Sequence, residues 1–516
     1  MSVSNRTRNG LRNGAFGLFF FLPCLALSFF SNRAFIMRLG SEILGMNTTV
    51  LSILEMLNIA ELGVGAALAS LLYKPLAESD HQTVVELSAL QGWIYRRVAV
   101  FIVVGAGAAM LFFPLVFAGE EIPLAYAYAT CIVVLGGSLS SYLINYREVI
   151  LEADQRRSDV VLSYRLPQIF CLTLQILAIE FTEHGYVWWL VIQIAKYVGT
   201  TLLLRQRIFR RYPYVGRMRV DDPASLRHKY PEVFRRIRQV FAHRLAFVVL
   251  SRVSPLVVYA YTSLSMVAAY TNYMIIYSAL TSLTSAAVDG FRGSVGNLVA
   301  SDDKASCRQT FDEMQAALCL AAAVVSFGFY MFADAFVAQW VGRDMVIGGP
   351  AVLLLSIMTY ISISRRAVDH FIQAHGYFDD VWAALAETGL NVGLSILLGR
   401  LWGISGVLTG VVASLVIIIL LWKPYYLMRV KGAGGLGRYW RSWTLYLFEA
   451  LATGWLVCSV CRDVAPAGSL PMPELFLRMA WQTSIYGLIL LTLLLLTSRG
   501  MRAAARRVAR LLTRRA

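Results

Sequence analysis

Apolar runs of about 20 residues alternate with short polar connections along the whole chain. A hydrocarbon layer about 30 Å thick takes about 20 residues of helix to cross. The pattern therefore predicts an all-α polytopic membrane protein with about 14 transmembrane helices. Their expected centres lie near Leu22, Leu57, Gly105, Val133, Leu172, Val191, Leu250, Ser278, Ala322, Ser356, Val392, Val412, Leu451 and Leu488. The first run, over residues 15–30, is longer than a signal-peptide core and lacks a small-residue cleavage site, so it reads as a retained span.

Residues 39–80 and 262–303 share a layout: a polar lead-in, one long helix, then a short acidic stretch. Their offset is 223 residues, which makes spans one to six and seven to twelve comparable halves. Six is even, so both halves enter the membrane from the same side and are parallel. The expected organisation is an N-lobe over 1–205, a basic cytoplasmic linker over 206–238, and a C-lobe over 239–427. Spans thirteen and fourteen with a basic tail follow over 428–516 as an appendage. Two six-helix lobes around a central cavity suit a transporter.

Composition agrees with this picture. Of 516 residues, 58% are hydrophobic and 15% charged, which excludes a string of soluble domains, a disordered chain and a disulfide scaffold. The net charge of +16 raises the question of nucleic acid, and the placement of the bases answers it. With the N-terminus in the cytoplasm, 35 of the 47 Lys and Arg fall on the cytoplasmic side, 5 outside and 7 within or at the edge of spans. That asymmetry places both termini in the cytoplasm. The basic segments 205–238 and 499–515 then face anionic lipid, not nucleic acid. Six of the seven cysteines sit in apolar stretches as small hydrophobes; Cys458 and Cys461 form a lone CxxC without a second pair, so no metal site is expected. The Gly432–Gly437 stretch lacks the Lys-Ser/Thr ending of a phosphate loop and reads as a linker.

Ionisable groups inside hydrocarbon are costly and so mark cavities or partners. Arg252 lies near mid-depth of span seven beside Pro255, which frees backbone groups as a cavity wall would. Asp289 and Arg292 share one face of span eight at i, i+3; a local pair and substrate contact both fit that spacing. Span ten carries Arg365, Arg366, Asp369 and His370, and Asp369 is placed to pair with Arg365, leaving Arg366 less compensated. Arg33 lies deeper in span one than Arg38, which snorkels. Glu55 and Glu61 in span two, with Glu387 in span eleven, are candidates for ion coupling or ion pairs, as Asp289 is; Lys196 is a weaker case. Arg33, Arg252, Arg292, Arg365 and Arg366 together form an anion-binding set, and the arginine fork suits phosphate.

Several motifs carry a family resemblance. The stretch from Arg33 to Gly45, Ala60-Glu-Leu-Gly-Val-Gly65 and Leu72-Tyr-Lys-Pro-Leu76 resemble bacterial polysaccharide (O-antigen-type) flippases. So do Ala269-Tyr-Thr-Asn-Tyr273, Gly296-Asn-Leu298, Gly376-Tyr-Phe, Glu387 to Asn391 and the Gly403–Gly410 segment. The resemblance spans roughly residues 10–430. It implies the multidrug/oligosaccharidyl-lipid/polysaccharide exporter fold, in the bacterial cytoplasmic membrane. The implied activity is transfer of undecaprenyl-diphosphate-linked oligosaccharide to the outer leaflet by alternating access. Implied partners are this lipid-linked oligosaccharide, membrane lipids, and polysaccharide polymerase and export proteins. No cofactor is expected; a proton or sodium gradient and the membrane potential are the candidate driving forces. Many members carry an acid in mid span seven, where this chain has Ser254-Pro255. A multidrug/cation antiporter of the same superfamily is the rival reading. A membrane polysaccharide polymerase or ligase is a more distant one, because the longest outer loop has only some 13 residues and no catalytic constellation appears. The chain is thus expected not to be an enzyme.

Overall fold

The computed structural model describes residues 3–61, 64–120, 122–154, 156–218, 222–235, 237, 253–289, 295, 298–299, 304–375, 377, 379–432, 435–460 and 471–513. Among these the chain is helical throughout, with no strand. It divides into two compact units. The first holds residues 1–259 and 263–268, the second 260–262 and 269–516.

Nine helices among the described residues are long and apolar enough to cross a membrane. Their outer faces show why water is not their solvent. On one helix Phe101, Val104, Leu111 and Leu115 are 56–79% exposed. A row of that size on a water-soluble monomer would aggregate, whereas lipid solvates it. The protein is a multi-pass membrane protein.

Unit 1 contains α1 (Val3–Leu39), α2 (Ser41–Leu57), α3 (Val64–Ala77), α4 (His81–Val116), α5 (Leu124–Leu143), α6 (Glu148–Ala153), α7 (Arg157–Phe181) and α8 (Gly185–Arg211). Span two is not one continuous helix: α2 ends at Leu57 and a 3-10 turn, Asn58–Glu61, precedes α3. The Asp80 carboxylate caps α4 by accepting from the Thr83 backbone N–H at 3.0 Å and its hydroxyl at 2.6 Å. Beyond α8 the chain folds back on this unit through α9 (Tyr214–Arg217) and α10 (Leu226–Lys229). Val215, Leu226 and Val233 enter the unit's core, and Lys229 and Tyr230 both bond Glu86 at 2.6 Å. Much of the expected linker region is therefore structured against the first unit.

Unit 2 contains α11 (Leu264–Asp289, whose first turn is counted with unit 1), α12 (Lys304–Val341), α13 (Gly349–Ser364), α14 (Arg366–His375), α15 (Val381–Ser414), α16 (Leu436–Val460), α17 (Met472–Thr497) and α18 (Arg499–Thr513). Ser41 and Leu264, the first residues of α2 and α11, are 223 residues apart, the offset of the sequence repeat. α15 is broken at Trp402 and Gly403, the latter at φ +55°, so its two arms form a hairpin. After α15 the helix widens into π turns at Leu415–Trp422 and Tyr426–Val430. The last two long helices pack into the unit's own core. Phe327 of α12 stacks on Tyr486 of α17 at 4.1 Å, and Tyr486 donates to the Ala450 carbonyl of α16 at 3.1 Å. The basic helix α18 lies on the start of α12, where Arg507 pairs with the buried Glu313 at 3.0 Å.

Candidate functional site

Each unit holds a cluster of ionisable groups within its helices. In unit 1 the break after α2 places Glu61 at a helix end, where its carboxylate accepts from the Tyr95 hydroxyl of α4 at 3.0 Å. Tyr142 of α5 stands within electrostatic reach of Glu61, and the Tyr95 and Tyr142 rings meet edge to face at 5.5 Å. Glu148, in the connection between α5 and α7, accepts from Tyr164 at 2.8 Å. Burial pushes the Glu148 carboxyl up to about 7, and the nearby Glu152 and Glu61 push in the same direction. The result is a tyrosine-lined acidic cluster in which the Glu148 carboxyl stands above the usual carboxylate range. A second ring of bonds closes this region: Tyr212 donates to Asp154 at 2.6 Å, and Arg156 pairs with Asp154 at 3.2 Å.

The pH dependence follows from the raised pKa. Between the unfolded carboxyl value and about 7 the native state binds more protons than the unfolded state. Stability from this group is full below that window and falls as pH rises through it. Glu148→Gln is expected to melt higher than the parent at pH 8, by roughly 1–3 kcal/mol, and to match it at pH 5. Thermal melts at the two pH values check this; equal destabilisation at both would contradict it.

In unit 2 the helix of span ten runs through Arg365 from α13 into α14: the Arg365 N–H donates to the Ile361 carbonyl and its own carbonyl accepts from the Asp369 N–H, both at 3.1 Å. The Arg365 guanidinium donates to Asp369 at 2.7 Å, the i, i+4 pair expected from sequence. Glu387 of α15 is buried and stands within electrostatic reach of Arg365 and of Lys423. Lys423 itself pairs with the buried Asp380 at 2.7 Å, and the Trp422 indole donates to the same carboxylate at 3.3 Å. Farther along α15, Asn391 donates to Ser414 at 3.2 Å. An alternating chain of Asp369, Arg365, Glu387, Lys423 and Asp380 thus links three helical segments, with neither sign left in excess by more than one charge.

The other sequence candidates fall as follows. Arg33 is exposed on α1, two turns before its end. Glu55 is half-buried on α2 and Arg366 opens α14; both engage neighbours. Lys196 lies over the Tyr197 ring at 5.0 Å. Arg252, Arg292, Cys461 and the side chain of Asp289 lie outside the described residues. Sequence reasoning passed over Glu148, Asp380 and Lys423. The spacing of Glu148 to Glu152 carries no signal of it: Val149, Ile150 and Leu151 between them are buried, whereas Glu152 is exposed and Glu148 half-buried.

This architecture, two helical units joined in one membrane chain, is the fold of the multidrug/oligosaccharidyl-lipid/polysaccharide exporters. It is similar to the lipid II flippase MurJ in its inward closed conformation, with TM-score 0.65 and 12% identity over 93% of this chain and 99% of that one. It is also similar to an inward-facing multidrug resistance MATE family transporter of the MOP superfamily, with TM-score 0.61 and 14% identity over 79% of this chain and 95% of that one. A point mutant of the Vibrio cholerae MATE transporter VcmN is similar at TM-score 0.51 and 13% identity, covering 83% of this chain and 99% of that one. No protein-family model and no curated protein matches the sequence.

Proposed function

We propose that the protein is a flippase that carries an undecaprenyl-diphosphate-linked oligosaccharide across the bacterial cytoplasmic membrane for surface polysaccharide export. The observation that carries this reading is the end-to-end likeness to a lipid II flippase, which takes in 93% of the chain. The match to the multidrug transporter takes in 79%. A diphosphate carries about two negative charges and does not cross bare hydrocarbon at a useful rate. Arg33, Arg252, Arg292, Arg365 and Arg366 are the groups proposed to replace its hydration, and alternating access moves it outward. An inside-negative potential favours that direction by up to about 5 kcal/mol for two charges at 100 mV. Glu61 and Glu148 are the proposed route for proton coupling, because both carboxylates accept from tyrosine hydroxyls and burial raises the Glu148 carboxyl to about 7.

A cation-coupled drug antiporter is the second reading, favoured by the buried acids of unit 1 and by the multidrug-transporter fold. Deletion of the gene in its native host separates the two. The flippase reading expects lipid-linked oligosaccharide to accumulate in the inner leaflet while surface polysaccharide is lost. An unchanged lipid pool with heightened drug sensitivity would replace it with the antiporter. Single repeat units gathering in the outer leaflet would point instead to a missing polymerase.

A further inference from the structure

A cavity of about 380 Å³ opens where α12, α14 and α16 and the connection after the second π turn come together in unit 2. All the connections that border it are ones the positive-inside pattern assigns to the cytoplasm. Lys304 and Arg308 line it from the start of α12, His375 from the end of α14, Lys431 from the connection, and Arg438 from the first turn of α16. Asp312 is the single acid among the described lining residues, within electrostatic reach of Arg308 and Arg438. Lys431 pairs with Asp379 just outside. Four permanent cations against these two acids leave a surplus of two positive charges. Arg507 of α18 adds nothing to that surplus, because it pairs with Glu313.

The floor is of a different character. Phe311, Phe371 and Tyr439 are buried there, with Phe311 and Phe371 edge to face at 5.2 Å. His375 bonds the Phe371 carbonyl through Nδ1 at 2.7 Å and stacks on Tyr377 at 5.0 Å, which fixes the ring at the wall. Gly432 and Gly435 both take positive φ, +76° and +87°, conformations that admit glycine readily. A Cβ on Gly435 would come within 3.0 Å of an Arg438 guanidinium nitrogen, so the arginine folds back over this residue. The N-terminus of α16, which begins at Leu436, lies at the same wall and adds its partial positive charge.

We infer that this cavity binds a phosphate ester, its phosphate held by Lys304, Arg308 and Arg438 and its organic part laid on the aromatic floor. Forked guanidinium donors converging from two helices match phosphate oxygens. The volume suits a head group or a small phosphorylated molecule. The same chemistry is offered by a phospholipid head group of the adjoining leaflet and by a soluble phosphate ester. The cavity lies wholly in unit 2 and its occupancy does not depend on what the protein transports.

The test uses the full-length protein delipidated in dodecyl maltoside micelles, which carry no phosphate. Thermal unfolding is followed against inorganic pyrophosphate in one series and against added phosphatidylglycerol in another. A rise of the midpoint with pyrophosphate supports the proposal with a soluble ligand; a rise with phosphatidylglycerol alone supports it with a lipid. In either case Arg308→Gln with Arg438→Gln is expected to weaken the apparent affinity at least about tenfold. Lys304→Gln, at the exposed start of α12, provides a milder variant with a smaller loss of the same sign. Arg441→Gln, one turn on along α16 and outside the lining, is expected to behave as the parent. No midpoint shift with either probe overturns the proposal, as does a shift that is equal in the parent and in the cavity variants.

Discussion

Gly406→Ala or Gly410→Ala is expected to remove nearly all folded protein, whereas Gly389→Ala and Gly393→Ala on the same helix leave its yield unchanged. A Cβ on Gly406 would stand 1.9 Å from the Leu398 carbonyl oxygen, and one on Gly410 would stand 2.4 Å from the Ser395 nitrogen. Both obstacles are backbone, so no side chain can turn aside. By contrast, nothing lies within 4 Å of a Cβ on Gly389 or Gly393. The two arms of the α15 hairpin meet along this Gly-x-x-x-Gly edge, where helices in lipid gain their association from close van der Waals approach. Forcing the arms apart also breaks the Ser395 hydroxyl bond to the Val407 carbonyl at 3.0 Å and the Asn391–Ser414 bond. The cost is expected to exceed about 4 kcal/mol, the range reserved for a disrupted core. Size-exclusion profiles of fluorescent fusions in detergent measure it. A monodisperse Gly406→Ala peak at parental height would refute the packing argument.

Arg365→Ala is expected to abolish export in a complementation assay and to lower stability by roughly 2–3 kcal/mol, since Asp369 and Glu387 lose their common counter-charge. Stability and function can be separated here. Arg365→Met with Asp369→Leu replaces the ion pair by apolar packing of similar volume, and such replacements are commonly neutral for stability. The double variant should therefore recover the share of stability owed to Asp369, with Glu387 left to Lys423 as its counter-charge, but not export. If it restores export as well, the guanidinium serves only to hold α13 and α14 to their neighbours.

How much of this was legible beforehand differs by level. Hydropathy located the nine long apolar helices among the described residues, because one-dimensional length and composition decide what hydrocarbon accepts. The Arg365–Asp369 pair was legible too, as an i, i+4 relation within one helical segment. Glu387 beside Arg365 and Lys423 on Asp380 join groups that meet only through packing, so their spacing in sequence carries no signal. Helix breaks were the other blind spot. Counting Glu55 and Glu61 within one span assumes a continuous helix, and α2 ends between them. The glycine-rich stretch near Gly432 reads as a linker from its composition, yet it borders a basic cavity once α12 and α14 are brought alongside.

The π turns after α15 have a consequence for how this chain tolerates length changes. A π turn holds one residue more than the α-helix it interrupts, so it behaves as an accommodated insertion. Removing a single residue within Leu415–Trp422 would let the segment relax into ordinary helix and spare its hydrogen bonds. The side chains beyond it would keep their phase about the axis, so Lys423 would stay on Asp380 and Trp422 on the edge of Trp382. Removing one residue from an ordinary α-helical stretch of α15 would instead turn every later side chain by about 100° and draw both contacts apart. The widened turns are thus the place where this helix can lose a residue without cutting the charge chain of the second unit.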